Sequence, residues 1–198
     1  MTKTTDAIPR QGDALLIVDL QRDFLPGGAL AVAHGDRVVP VVNECVGLFV
    51  ARQLPLFATR DWHPPDHCSF AAQGGPWPPH CIAGSAGAAF ADGFRLPAEA
   101  AVVSKATGAQ RDAYSGFEGT DLSSKLRDAG VGRLFVGGLA TDYCVLQTVL
   151  DARRLGFEVF VLRDAIAAVD AQPGDGERAI ERMQQAGARF VDGVAVPR

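Results

Sequence analysis

Short apolar runs alternate along the chain with longer segments in which apolar positions recur at helical spacing. Six runs carry the strand signal: Ala14 to Val18, Pro55 to Thr59, Ala101 to Ser104, Arg133 to Gly137, Glu158 to Leu162 and Ala188 to Val191. Between them the periodicity predicts helices at about Asp36 to Arg52, Asp121 to Ala129, Thr141 to Leu155 and Asp175 to Ala186. Three of these are followed closely by glycine, the residue that ends a helix in the left-handed region at least cost. Such alternation of β and α elements predicts an α/β fold: a mostly parallel six-stranded sheet with helices on both faces.

One segment breaks the alternation. From about residue 61 to 96 the chain is rich in Gly, Pro, Ala and His and shows no period, so it reads as a long ordered loop. Loops of that length inside a compact domain are usually functional or disordered, and here two Trp, several Pro and three His argue for order.

Composition narrows the choice. A chain of 198 residues with 47% hydrophobic content is expected to form one domain over its whole length. A net charge of -4 with interspersed signs offers no basic stripe for a nucleic acid or an anionic membrane, so neither is an expected partner. The polar stretch Met1 to Gln11 has no secretory signal character, and no apolar run is long enough to span a bilayer. Four cysteines without a Cys-x-x-Cys pair fit free thiols in a reducing cytoplasm.

In open parallel sheets ligands bind beyond the carboxyl ends of the strands. Asp19 follows the first apolar run, Asp61 and His63 the second, Lys105 the third and Cys144 the fourth, so four strands deliver reactive groups to one rim. Cys144 lies just past Gly137-Gly138, at the start of a predicted helix. Unpaired N–H groups and the helix dipole there favour a thiolate and can hold an oxyanion. Asp19 is then a candidate general base for Cys144, and Lys105 a cation that stabilises the charge as the proton moves. Asp61, His63 and His80 supply carboxylate and imidazole ligands of the kind that bind zinc, iron or manganese, with His67, Cys68 and Cys81 nearby as alternative ligands.

Taken together, Asp19-Leu20-Gln21-Arg22-Asp23-Phe24, Arg60-Asp61-Trp62-His63, Trp77-Pro78-Pro79-His80-Cys81, Ser104-Lys105, Tyr114-Ser115-Gly116-Phe117 and Ala140-Thr141-Asp142-Tyr143-Cys144 run in order over nearly the whole chain. This set resembles the nicotinamidase branch of the isochorismatase-like cysteine hydrolases. The resemblance implies a doubly wound, Rossmann-like fold with Asp19, Lys105 and Cys144 as the catalytic triad. It also implies one divalent metal, zinc before iron or manganese, on Asp61, His63 and His80, and no organic cofactor; whether His67 is a further ligand stays open. Backbone N–H groups of Ala140 and Cys144 would form the oxyanion hole, with a cis peptide bond before Ala140. Phe24, Trp77 and Tyr114 would wall the ring pocket. The implied activity is hydrolysis of nicotinamide to nicotinate and ammonia in NAD salvage, with nicotinamide the small-molecule partner and a homo-oligomer compatible with it. The alternatives are a cysteine amidase acting on a ureido or carbamoyl compound, whose relatives usually lack the metal set, and a non-catalytic α/β binding protein, against which the intact triad argues.

Overall fold

The structure of the protein, a computed structural model, describes residues 7–192; residues 1–6 of the polar N-terminal stretch, and 193–198, lie outside it. All six predicted strands form, as β1 (Asp13–Val18), β2 (Leu56–Asp61), β3 (Ala101–Lys105), β4 (Arg133–Leu139), β5 (Glu158–Ala167) and β6 (Arg189–Val191). They make one sheet of order β3-β2-β1-β4-β5-β6, every pair parallel. This is the doubly wound order, with its switch point at β1 and β4, where the two halves of the chain diverge.

β1 is buried at every position, as a central strand covered on both faces must be. Its alternation divides the core. Leu15 and Ile17 pack with Val42, Val46 and Phe49 of α1 (Val38–Ala51), on one face. Leu16 and Val18 pack on the other face with Leu122 and Leu126 of α2 (Leu122–Asp128), Val149 of α3 (Leu146–Arg154) and Met183 of α4 (Asp175–Gln185). At the amino-terminal edge of the sheet, Arg133 makes paired hydrogen bonds to Asp13, both 2.7 Å, which lock β4 to β1 in register. A buried bidentate pair of this kind specifies register more than it adds stability, but removing one partner costs about 3–5 kcal/mol.

Two predicted boundaries differ from the structure. β5 runs five residues beyond Leu162, because its backbone keeps pairing with β4 past a register shift (Gly138↔Ile166, Leu139↔Ala167) although Arg163 and Asp164 interrupt the apolar run. The helix expected from Thr141 opens instead with a π-helical turn, Thr141–Val145, closed by Val145 N donating to Ala140 O at 3.1 Å. β4 can approach β1 at this end only because Gly138 has no side chain: a Cβ there would sit 2.0 Å from Val18 O, and its φ is +118°.

The long loop between β2 and β3 is tied down by its own backbone. His63 N donates to Cys81 O (3.0 Å) and Ala83 N to His63 O (2.8 Å), while Phe70 and Trp77 form a second bridge. These ties bring residue 80 back over the end of β2.

Candidate active site

Asp19, Asp61, Lys105 and Cys144 meet at the carboxyl rim, all four buried. Lys105, the last residue of β3, is opposite Asp61, the last residue of β2, in the strand register. Its ammonium donates to Asp61 Oδ1 (2.5 Å), Ala113 O (3.0 Å) and Cys144 Sγ (3.4 Å). An ammonium has only three hydrogens to give. Asp19 Oδ2, at 3.1 Å from the same nitrogen, therefore receives its charge but accepts no hydrogen bond, whereas Oδ1 accepts one from Thr59 Oγ1 at 2.7 Å. One acceptor oxygen is thus left without a hydrogen bond, and the carboxylate that carries it has an oxygen within 4.8 Å of the Cys144 sulfur.

The electrostatics follow from burial against charge. Burial pushes the Asp19 carboxyl up, and Lys105 and the Thr59 hydrogen bond only partly reverse it. Burial acts on Asp61 in the same direction, but the Lys105 ammonium outweighs it and holds that carboxyl below the usual range. Burial works against the Lys105 charge, but Asp19 and Asp61 outweigh it and hold its pKa well above that of an ordinary lysine. For Cys144, burial comes first, and with Asp19 and Asp61 it overcomes Lys105, so the thiol is held well above its usual value. This corrects the expectation that the helix start favours a thiolate: burial, with the two carboxylates beside it, favours the neutral thiol.

Asp61, His63 and His80 each offer one ligand atom, all within 4.8 Å of one another. His63 Nδ1 faces Ala106 O at 3.2 Å, which makes it the N–H donor and leaves Nε2 a bare acceptor. That Nε2 is buried, has no hydrogen-bond partner and lies 3.7 Å from Asp61 Oδ2. His80 Nδ1 likewise faces Pro78 O at 2.8 Å, and burial keeps the ring neutral by lowering its pKa. An orphaned imidazole nitrogen beside a carboxylate and a second oriented imidazole fits a divalent cation, and the carbonyls supply the outer hydrogen bonds that orient such ligands. His67 is outside this group. Its ring stacks on His63, centroids 4.2 Å apart, while Nδ1 meets Ser69 Oγ (2.7 Å) and Nε2 meets Arg111 O (3.1 Å), so neither nitrogen is free. Cys68 and Cys81 do not join the group either.

A cavity of about 480 Å³, counted out to its mouth, opens onto both sets; Asp61, His63, His80 and Cys144 all line it. Phe24, Trp77 and Tyr114 line it, and Trp77 Nε1 donates to the Tyr114 hydroxyl at 3.0 Å. The peptide bond Leu139–Ala140 is cis, and Ala140 lines the cavity.

Sequence reasoning missed several participants. Tyr143 is a further wall, edge-on to Trp77 at 5.2 Å. Thr59 aims Asp19. Gln21, fully buried, accepts from Asp61 N through Oε1 (2.8 Å) and donates through Nε2 to Asp61 O (2.8 Å) and Ala88 O (2.9 Å), clamping the backbone of a metal-group residue. A polar residue two positions from Asp19 inside a buried segment was the available signal.

The fold and rim define a class: a doubly wound α/β protein with a buried thiol among ion-paired carboxylates, beside a donor set for a divalent metal. The isochorismatase domain matches residues 13–193, so the chain belongs to the isochorismatase family. It is 42% identical to the nicotinamidase of Escherichia coli over 196 residues, which cover 88% of this chain and 92% of that one. Its fold superposes on the pyrazinamidase of Pyrococcus horikoshii in complex with zinc with a TM-score of 0.88 (50% identity, covering 91% of this chain and 99% of that one). A second solved structure, PnC1 from L. infantum in complex with nicotinate, gives 0.84 (39% identity, 93% and 94% covered).

Proposed function

We propose that the protein hydrolyses nicotinamide to nicotinate and ammonia through a thioester on Cys144, returning the pyridine ring to NAD synthesis. The observation that carries this reading is that Cys144 and the His63, His80 and Asp61 donor set face one aromatic-walled cavity. The similarity to the E. coli nicotinamidase supports the substrate.

In this reading Asp19 Oδ2 takes the Cys144 proton as the sulfur attacks the carboxamide carbon, and its raised pKa makes it a stronger base than an ordinary carboxylate. Lys105, at 3.4 Å from the sulfur, offsets the negative charge as it develops. The Ala140 and Cys144 N–H groups would receive the oxyanion. Collapse breaks the C–N bond, Asp19 returns the proton, and ammonia leaves. Water, deprotonated by Asp19, then cleaves the thioester to nicotinate and restores the thiol. Asp61, His63 and His80 would hold the divalent cation, zinc by analogy with the P. horikoshii enzyme; bound there it would take the ring nitrogen and so orient the ring.

The test is ammonia release from nicotinamide by the purified chain, before and after chelation and with zinc restored. Turnover that falls on chelation and returns with zinc is expected. Absence of turnover on nicotinamide by the zinc-supplied protein would overturn the proposal.

A further inference from the structure

The cavity lining contains a carboxylate that the mechanism does not use. Asp112 lies in the loop after β3 and lines the cavity, half-buried, next to Ala113 and Tyr114. Its Oδ1 accepts a hydrogen bond from Ala113 N at 2.9 Å, which fixes the side chain. Among the described residues nothing binds its Oδ2, and no lysine, arginine or histidine nitrogen lies within 4.0 Å of the carboxylate. The neighbouring cation turns away: Arg111 lines a separate depression with Glu118 and Gly119, its guanidinium carbon 3.9 Å from the position a Cβ on Gly119 would take. The other carboxylate of the cavity lining, Asp61, is neutralised by Lys105 at 2.5 Å. Asp112 is therefore a fixed negative charge with no ion pair within 4.0 Å among the described residues, on the wall of a mostly apolar and aromatic space; His67 feels its field, and a cation on Asp61, His63 and His80 would act equally in the variants compared below.

The proposed substrate and product have nearly the same shape and differ in charge. The amide is neutral; the acid is an anion at neutral pH, as carboxylic acids are. A fixed charge across a partly dry cavity repels an anion by on the order of tenfold in affinity, because the effective dielectric there is far below that of water. The same charge barely affects a neutral ring.

We propose that Asp112 is a specificity-determining residue, discriminating neutral pyridine carboxamide from anionic pyridine carboxylate and thereby speeding product release and limiting product inhibition. The inference rests on the function proposed above, and names how that same site tells substrate from product.

The experiment compares the zinc-supplied full-length protein with its Asp112→Asn and Asp112→Glu variants. Asn keeps the size and can still accept the Ala113 hydrogen bond; Glu keeps the charge. Three quantities are read: the inhibition constant of nicotinate, that of the neutral competitor 3-methylpyridine, and KM for nicotinamide. Asp112→Asn is expected to bind nicotinate about tenfold more tightly, with 3-methylpyridine and KM changing less than twofold, while Asp112→Glu stays near wild type. High salt should narrow the wild-type discrimination, since the carboxylate is only half-buried. An unchanged ratio of the two inhibition constants in Asp112→Asn overturns the inference, and so does a parallel shift of nicotinate and nicotinamide, which would mark a role in pocket shape. A wild type that releases no ammonia from nicotinamide overturns the parent reading and this one with it; an active wild type with an unchanged ratio overturns this one alone.

Discussion

Lys105 Nζ is 2.5 Å from Asp61 Oδ1 while donating to Cys144 Sγ at 3.4 Å, so one buried ammonium joins the candidate metal donor set to the Cys144 thiol. Replacing it with Met leaves Asp19 and Asp61 buried without their cation. The expected cost is about 3–5 kcal/mol of folding stability, read as a shift of the urea midpoint, together with loss of turnover. A Lys105→Met protein as stable as wild type would show that the ammonium does not compensate these carboxylates.

Cys144→Ala should abolish ammonia release while leaving circular dichroism and metal content unchanged, because only the nucleophile is lost. Cys144→Ser should be nearly as inactive, since a hydroxyl is far harder to deprotonate. Turnover near wild type in either variant would exclude the thioester route.

His63→Ala and His80→Ala should each lose the bound ion on dialysis, because two remaining protein ligands hold a divalent metal poorly. His67→Ala should keep it, both His67 nitrogens being engaged elsewhere. Metal analysis per chain decides the matter, and loss of the ion in His67→Ala would return that residue to the ligand set.

Asp19→Asn separates a base from a mere neighbour. Turnover should fall by at least a thousandfold, and adding Lys105→Ala should cost little more, because residues that act as one unit are not additive. Alkylation of Cys144, by contrast, should not slow, since the Asp19 charge holds the thiol's pKa up and its removal frees thiolate. Slower alkylation would mean that Asp19 activates the thiol already at rest.

Acid should weaken the metal-free fold in a defined window. Burial lowers the pKa of His67 below the 6.5 of a free histidine, and burial does the same for His80. A histidine with a depressed folded pKa is protonated first in the unfolded chain. Its contribution is therefore complete above pH 6.5 and is lost as pH falls through that value toward the folded pKa. Denaturant midpoints between pH 8 and 5.5 should decline below about 6.5, less steeply in His67→Gln; a flat profile would contradict the assignment.

Period and composition alone determined the strands, three of the four helices, the parallel sheet and the rim on which Asp19, Asp61, Lys105 and Cys144 gather. These are local signals: burial on both faces writes an apolar run, and topology then carries the ends of β1 to β4 to one edge. Tertiary structure decided the rest. Lys105 reaches Asp61 and Cys144 across 44 and 39 residues, and no pattern along the chain states that its three hydrogens leave Asp19 Oδ2 bare. The neutral resting thiol, the exclusion of His67 and the unpaired charge of Asp112 likewise depend on burial and on which partners stand nearby. Those quantities arise only when distant segments are packed together, because desolvation and hydrogen-bond saturation belong to the assembled surroundings of a group and not to its position in the chain.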